Sequence, residues 1–221
     1  MSYLPKDALT LTGGCYCKAI RYRINVPAWD HRPAVPGALD TPISPSESVP
    51  TKLPVVDIDH CNTCRQVSGA MVQCWFICPV SWVEWDLQPK PSHPDGDQGE
   101  REHEKTITLS TPEAVGPDRQ GQSRPSTHVG RFCCTDRATR AFCSRCGTHL
   151  SYLNHARLNT PAAFVDVTVG SFDRESLELA KPDRHGWWDF GVDWIQSLLT
   201  KGDGGFLIRH HTGDLTKAVE Y

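Results

Sequence analysis

The cysteines constrain the fold of this chain more than any other feature of its sequence. Ten of the 221 residues are cysteine, and six of them form three close pairs: Cys15-Tyr-Cys17, Cys61-Asn-Thr-Cys64 and Cys143-Ser-Arg-Cys146. In a Cys-x-x-Cys turn, both sulfur atoms can point at one ion while the intervening amides face the thiolates. Zinc prefers four such soft ligands in a tetrahedron. The three pairs therefore predict metal binding.

Paired cysteines need not bind metal, because they can also be buried free thiols, a thioredoxin-like redox pair or disulfides. No βαβ pattern surrounds either Cys-x-x-Cys, which disfavours the redox pair. Residues 1–11 lack the basic start and apolar stretch of a secretory signal, and intracellular thiols stay reduced, which disfavours disulfides. We therefore expect a protein of the cytoplasm or the nucleus.

The remaining four cysteines are most simply interpreted as core residues. Cys74 and Cys78 lie four apart in a predicted strand, so they share a face and resemble small buried hydrophobes. Cys133 and Cys134 are adjacent and would point to opposite faces of a strand, so one of them could approach a metal.

Composition and charge disfavour several classes of function. The formal net charge is −3, and no block of Lys and Arg is present. Such a chain is a poor electrostatic partner for nucleic acid or for an anionic membrane. No apolar run is long enough to cross a bilayer. We therefore expect no membrane partner, and a small molecule is favoured over nucleic acid.

The apolar pattern predicts a mainly β fold built from short strands. Alternation with a period of two predicts a half-buried strand over Ile20–Val26, and a nearly continuous apolar run predicts a buried strand over 72–80. A helix is predicted over 193–200, with a turn near 62–68. Shorter strand candidates are 82–87, 106–109, 128–134, 149–153 and 164–169.

Two long segments with little periodicity are predicted to be loops. Residues 27–54 hold many Pro and Ser residues, and residues 88–125 are rich in Pro, Gly, Asp and Gln. Loops of this length are functional or disordered. Because predicted strands flank both segments, we expect a single domain over 1–221 with two loop insertions and a short C-terminal helix.

Three motifs follow one another along the chain. They are Gly-Cys-Tyr-Cys at 14–17 with Ala-Ile-Arg-Tyr at 19–22, His-Cys-Asn-Thr-Cys-Arg at 60–65 with Ser-Gly at 68–69, and Arg-Ala-Phe-Cys-Ser-Arg-Cys-Gly-Thr at 140–148. With Pro-Asp-Arg-His at 182–185 and Trp-Ile at 194–195, they resemble the family of glutathione-dependent formaldehyde-activating enzymes and centromere protein V. The resemblance covers residues 9–200 apart from the two insertions.

The resemblance implies a small, mainly antiparallel β fold assembled around zinc. Cys15, Cys17, Cys143 and Cys146 would form a structural site, in which four thiolates close the coordination sphere. Such a site suits stability and not catalysis. Metal binding would then be part of the folding free energy.

A second site of the family normally uses three cysteines, in the pattern Cys-His-Cys-x-x-Cys. The matching run begins with Asp59, so the implied ligands are Asp59, Cys61 and Cys64. A carboxylate can bind zinc, but this set would be harder and would leave more positive charge on the metal. Either a second zinc binds here with an open position, or the second zinc is lost or only partly occupied.

Residues beside this run have competing interpretations. In an extended segment the His60 side chain would point away from those of Asp59 and Cys61. This favours a position near the site over a role as a metal ligand. Arg65 could pair with a substrate carboxylate or form a surface salt bridge, and Gly69 would permit a turn. The candidate catalytic residues are Asp59, His60, Cys61, Cys64 and Arg65. Later residues that either wall a pocket or belong to the core are His185, Trp187, Trp188 and Trp194.

The resemblance implies a zinc-dependent, carbon–sulfur lyase-like enzyme. The family's nominal reaction joins glutathione to formaldehyde, and the reverse cleaves a carbon–sulfur bond. The insertions and Asp59 favour another small molecule or a glutathione or thiol adduct, and residues 27–54 could cover a large apolar or aromatic substrate. The alternative is a non-catalytic, zinc-stabilised binding or scaffolding module. A third hypothesis is a nucleic-acid-binding zinc protein, against which the net charge argues.

Overall fold

A computed structural model describes residues 4–91, 106–118, 123–205, 207, 209–210, 212 and 219–220. Its strands are β1 (Leu9–Gly14), β2 (Ile20–Val26), β3 (Thr41–Ser44), β4 (Glu47–Val49), β5 (Val55–Asp59), β6 (Gln73–Pro79), β7 (Val83–Leu87), β8 (Ile107–Ser110), β9 (Val129–Thr135), β10 (Ala138–Cys143), β11 (His149–Asn154), β12 (Phe164–Thr168), β13 (Arg184–Gly186), β14 (Arg209–His210) and β15 (Val219–Glu220). Its α-helices are α1 (Asn62–Ser68), α2 (Thr111–Val115), α3 (Arg174–Leu179) and α4 (Asp193–Lys201). The predicted mainly β fold with a short helix late in the chain is confirmed.

The chain divides into two compact units, and the first comprises residues 1–58 and 74–185. It contains a four-stranded antiparallel sheet in the order β1-β2-β7-β8. The larger sheet has the order β13-β5-β6-β12-β11-β10-β9, and its four successive pairs from β6 to β9 are antiparallel. The core of this unit is formed by aliphatic and aromatic side chains of these strands.

Strand β2 shows how the sequence pattern builds the smaller sheet. Every second side chain from Ile20 to Val26 is buried, as the alternation predicts. The Tyr22 ring packs against Trp85 of β7 at a centroid distance of 5.2 Å. On the opposite face, Arg23 forms ion pairs with two acidic residues of β7. One face therefore joins the core, and the other is covered by charges.

The two predicted loop insertions contain short regular elements. Residues 27–54 include the β3–β4 hairpin. Residues 88–125 include β8 and α2, and α2 begins with a capping box in which Ser110 and Glu113 bond to each other's backbone N–H. Within this second insertion, residues 92–105 and 119–122 lie outside the described residues.

The second unit comprises residues 59–73 and 186–221. Helix α1 begins after Cys61 and ends at Gly69, whose φ of 68° is the left-handed conformation that glycine adopts readily. Helix α4 buries Ile195 and leaves its polar residues outward. No helix among the described residues has the length and apolar character needed to span a bilayer.

One half-buried histidine of the first unit predicts a pH dependence of stability. Burial and the nearby Arg140 guanidinium lower the pKa of His149 from 6.5 to about 4, and its ring lies edge-on to Trp75 at 5.5 Å. Between these two pH values the unfolded chain binds a proton that the folded chain does not. Stability should therefore be retained above pH 6.5 and decrease as the pH falls, by at most about 1.4 kcal/mol per pH unit.

Urea denaturation at a series of pH values checks this prediction. We expect His149→Gln to remove the His149 contribution, so that the free energy of unfolding falls less steeply between pH 6.5 and 4 than in the wild type. The same substitution at the exposed His31 is the control and should keep the wild-type slope. Equal slopes in all three proteins would contradict the assignment.

Candidate metal centres

The first pair of candidate ligands lies in the turn between β1 and β2. The turn is closed by hydrogen bonds from the Cys15 N–H to the Ile20 carbonyl (2.9 Å) and from the Lys18 N–H to the Cys15 carbonyl (3.0 Å). Gly13 precedes the turn, and a Cβ there would lie 2.3 Å from the Tyr22 hydroxyl oxygen. Only glycine therefore allows β1 to approach β2 closely enough at this point, and the turn presents Cys15 and Cys17.

The second pair lies in the turn between β10 and β11. The Gly147 N–H donates to the Cys143 carbonyl at 2.8 Å, and the Cys143 N–H donates to the Thr148 carbonyl at 2.9 Å. Gly147 has a φ of 80°, which side-chain-bearing residues rarely adopt. The chain therefore doubles back directly after Cys146 and presents both sulfur atoms on one side of the turn.

These four cysteines meet with distances that fit one tetrahedral ion. The Sγ atoms of Cys15 and Cys17 are 3.5 Å apart, and those of Cys17 and Cys143 are 3.7 Å apart. All four Sγ atoms, including that of Cys146, lie within 4.8 Å of one another. A zinc–sulfur distance of about 2.3 Å gives a tetrahedron edge of about 3.8 Å, whereas a disulfide requires about 2.05 Å. The predicted four-cysteine group is confirmed as a possible metal site.

Burial and hydrogen bonds to sulfur together set the electrostatics of this group. The Ile20 N–H donates to the Cys15 Sγ at 3.3 Å, but burial raises the pKa of Cys15 to about 12. Burial also acts to raise the pKa of Cys146, yet the Thr148 hydroxyl and the backbone N–H groups of Thr148 and Cys17 lower it to about 6. A bound cation would favour the thiolate form of all four side chains, and protons would be released on binding.

The second candidate group is Asp59, Cys61 and Cys64, whose ligand atoms also lie within 4.8 Å of one another. Asp59 ends β5, Cys61 is the N-cap of α1 and Cys64 lies in the first turn of that helix. Asp59 and Cys64 are buried, and Cys61 is half-buried. The Asp59 Oδ1 accepts a hydrogen bond from the Cys61 N–H at 2.7 Å. Two thiolates and a carboxylate fit zinc and would leave one tetrahedral position for another ligand.

His60 connects this group to a later segment of the same unit. It is not one of the three donors that converge. Its backbone N–H donates to the Gly186 carbonyl at 3.0 Å, and its ring meets the Trp188 ring edge-on at 5.0 Å. A Cβ on Gly191 would lie 2.8 Å from the His60 Nδ1. Residues 186–191 therefore pack closely against the residue between two candidate ligands.

Arg65 follows Cys64 on α1 and is half-buried. Its Nε is buried and has no hydrogen-bond partner within the described part of the chain, and Arg65 forms no ion pair there. An unpaired buried donor is unfavourable unless a ligand or water satisfies it. This favours the hypothesis that Arg65 recognises an anionic group.

The late aromatic residues are not core residues. Trp187 is 62% exposed, Trp188 is 40% exposed and Trp194 is 59% exposed. The interpretation of these tryptophans as core is therefore wrong, because the segment that carries them follows the surface of the second unit. His185 is also exposed and belongs to the first unit.

The other four cysteines join neither group of converging donors. Cys78 is fully buried, and Cys74 is half-buried against the core, where burial raises its pKa to about 12. Cys133 is exposed, because β9 is the edge strand of its sheet, so its interpretation as a core residue is wrong. Its neighbour Cys134 is half-buried.

Comparisons with known proteins identify no relative that explains the site. No family model matches the chain, and no curated protein matches it. A crystal structure of a Rhodobacter sphaeroides protein from structural genomics covers 79% of this chain and 99% of its own, with 12% sequence identity and a TM-score of 0.34. A similarity this low carries no argument about function.

Proposed function

We propose that the protein is a zinc-dependent, carbon–sulfur lyase-like enzyme that acts on an adduct of glutathione or another small thiol. The observation that carries the proposal is the contrast between the two donor groups. Four cysteines at the β1–β2 and β10–β11 turns would close the coordination sphere of one zinc. Asp59, Cys61 and Cys64 would hold a second zinc through three ligands only, which is typical of catalytic sites.

When bound, the second zinc would lower the pKa of a substrate thiol and favour its thiolate. In the condensing direction, the thiolate sulfur forms a bond to an aldehyde carbon, and the electron pair of the carbonyl double bond moves to oxygen, which takes up a proton. In the reverse direction, the hydroxyl group loses its proton and the electrons of the carbon–sulfur bond return to sulfur. The Arg65 guanidinium would orient a carboxylate of the thiol, such as that of glutathione.

Metal analysis combined with turnover tests this proposal. We expect about two zinc ions per chain in the wild type and about one in Cys64→Ser. The rate of adduct formation from glutathione and an aldehyde panel that includes formaldehyde should fall by about 100-fold or more in Cys64→Ser and in Asp59→Ala. Cys133→Ser, the same change at an exposed cysteine outside both groups, should behave as the wild type. Unchanged rates in both site variants would rule out catalysis at this group.

A non-catalytic, zinc-stabilised binding module is the second candidate. It is favoured by the hydrogen bond from the Cys61 N–H to Asp59, which gives the carboxylate a structural role in the turn before α1 without any metal. In this case the wild type should contain about one zinc ion per chain, and Cys64→Ser should leave the metal content unchanged.

A further inference from the structure

Four exposed aromatic side chains lie in a segment that packs against His60, the residue between two candidate ligands. Trp187, Trp188, Phe190 and Trp194 are each at least 40% exposed. Large aromatic side chains lose favourable burial when they face water, so several of them exposed in one short segment favour a binding role. We call Trp187, Trp188 and Phe190 the aromatic platform.

The platform is attached directly to the residue between two candidate ligands. Trp188 contacts the His60 ring, and the backbone just before the platform accepts the hydrogen bond from His60. Gly191, just after the platform, approaches the same imidazole so closely that a Cβ would collide with it or with the Gln196 amide. These contacts therefore fix Trp188 and the backbone on either side of the platform against His60, the neighbour in sequence of Asp59 and Cys61.

The exposed rings belong to an ordered turn. Trp187 adopts a left-handed conformation with a φ of 53°, which is unfavourable for a bulky side chain. Its ring meets the Phe190 ring at 5.7 Å with an interplanar angle of 63°. The Trp188 carbonyl accepts hydrogen bonds from the Gln196 side-chain amide at 2.7 Å and from the Gly191 N–H at 2.9 Å. Strain held by such contacts is typical of preorganised binding sites.

We propose that the aromatic platform binds an apolar, preferably aromatic, substituent of the thiol adduct whose sulfur is held at Asp59, Cys61 and Cys64. This inference rests on the proposed function and specifies its substrate class. A thiol that carries an aromatic group can use both features at once, because flat rings stack on aromatic side chains. A small aliphatic thiol can bind only at the second donor group.

Thiol binding to the cobalt-substituted protein tests the platform. An added thiolate ligand increases the charge-transfer absorption of cobalt(II) above that of the protein's own cysteine ligands, so this increase lets benzyl mercaptan and ethanethiol be titrated without measuring turnover. We expect benzyl mercaptan to bind the wild type about tenfold tighter than ethanethiol does. Trp187→Ala and Phe190→Ala should each weaken benzyl mercaptan about fivefold and leave ethanethiol unchanged.

Phe132→Ala is the matched control, since Phe132 is 56% exposed and Phe190 is 57% exposed, and Phe132 lies on β9 of the first unit. It should bind both thiols as the wild type does. If Trp187→Ala is poorly folded by circular dichroism, Trp187→Phe keeps a ring and should retain more than half of the preference.

The outcomes separate the two proposals. Equal affinities of the wild type for both thiols, or an unchanged preference in Trp187→Ala and Phe190→Ala, would contradict substrate binding by the platform. Either result would leave the proposed function unaffected. Self-association that disappears in these variants without a change in thiol preference would identify a protein-docking surface instead. If neither thiol changes the spectrum of the wild type, the proposed function itself fails.

Discussion

Replacing Cys143 with serine is expected to remove one zinc ion per chain and to abolish cooperative folding. Cys143 is buried, and its sulfur lies 3.7 Å from that of Cys17, which is 126 residues earlier in the chain. A serine hydroxyl is a poor zinc ligand. Binding of a structural zinc contributes about 10–16 kcal/mol in small zinc domains, whereas a whole domain is stable by only about 5–15 kcal/mol. The free energy lost with the ion is therefore comparable to or larger than the whole net stability of the fold.

Thermal unfolding followed by circular dichroism, together with zinc analysis of the same samples, measures this effect. A chelator added to the wild type should reproduce it. Cys133→Ser is the control, because the same chemical change is made at an exposed thiol outside the donor groups. A Cys143→Ser protein that keeps its zinc and its cooperative transition would show that the four cysteines are not a structural site.

Replacing Asp59 with cysteine is expected to strengthen zinc binding at the second group by about tenfold or more, because a thiolate is a softer ligand than a carboxylate. The same change removes the acceptor of the Cys61 N–H at the start of α1. Loss of one such hydrogen bond costs about 1 kcal/mol, so a modest decrease in the stability of the fold should accompany the gain in affinity.

Asp59→Asn is the matched comparison for this experiment. An amide oxygen can still accept the hydrogen bond from Cys61, but it carries no charge for the metal. Competition with a chromophoric chelator should therefore rank the second-site affinities as Asp59→Cys, wild type, Asp59→Asn, in decreasing order. Equal affinities in all three proteins would show that Asp59 is not a ligand.

Strands with a strong local pattern could be predicted almost to the residue. The alternation over Ile20–Val26 and the apolar run over 72–80 correspond to β2 and to β6 (Gln73–Pro79). Strand β10 could not be predicted, because its local sequence shows no alternation and includes buried polar residues. Arg140 is only 4% exposed there, with its guanidinium over the rings of Trp75 and Tyr152. Only the assembled sheet provides that environment.

The candidate ligands were predictable because cysteines that can bind one metal ion often lie two or three residues apart in the sequence. Both Cys-x-x-Cys pairs fall in turns or at a helix start, where two neighbouring sulfur atoms face the same way. The exposure of Trp187 was not predictable in this manner, since a dense tryptophan run is equally compatible with a core. It depends on the contacts of its neighbours with His60, which lies more than a hundred residues earlier.

The pairing of an early turn with a late one has a consequence for synthesis of the protein. Cys15 and Cys17 leave the ribosome first, but the four-cysteine group is incomplete until Cys146 has been added. At about 5–20 residues per second, the first two thiols wait about 7 to 26 seconds for their partners. During that interval they are open to oxidation or to a mismatched ion, so a reducing, zinc-supplied environment would favour correct maturation.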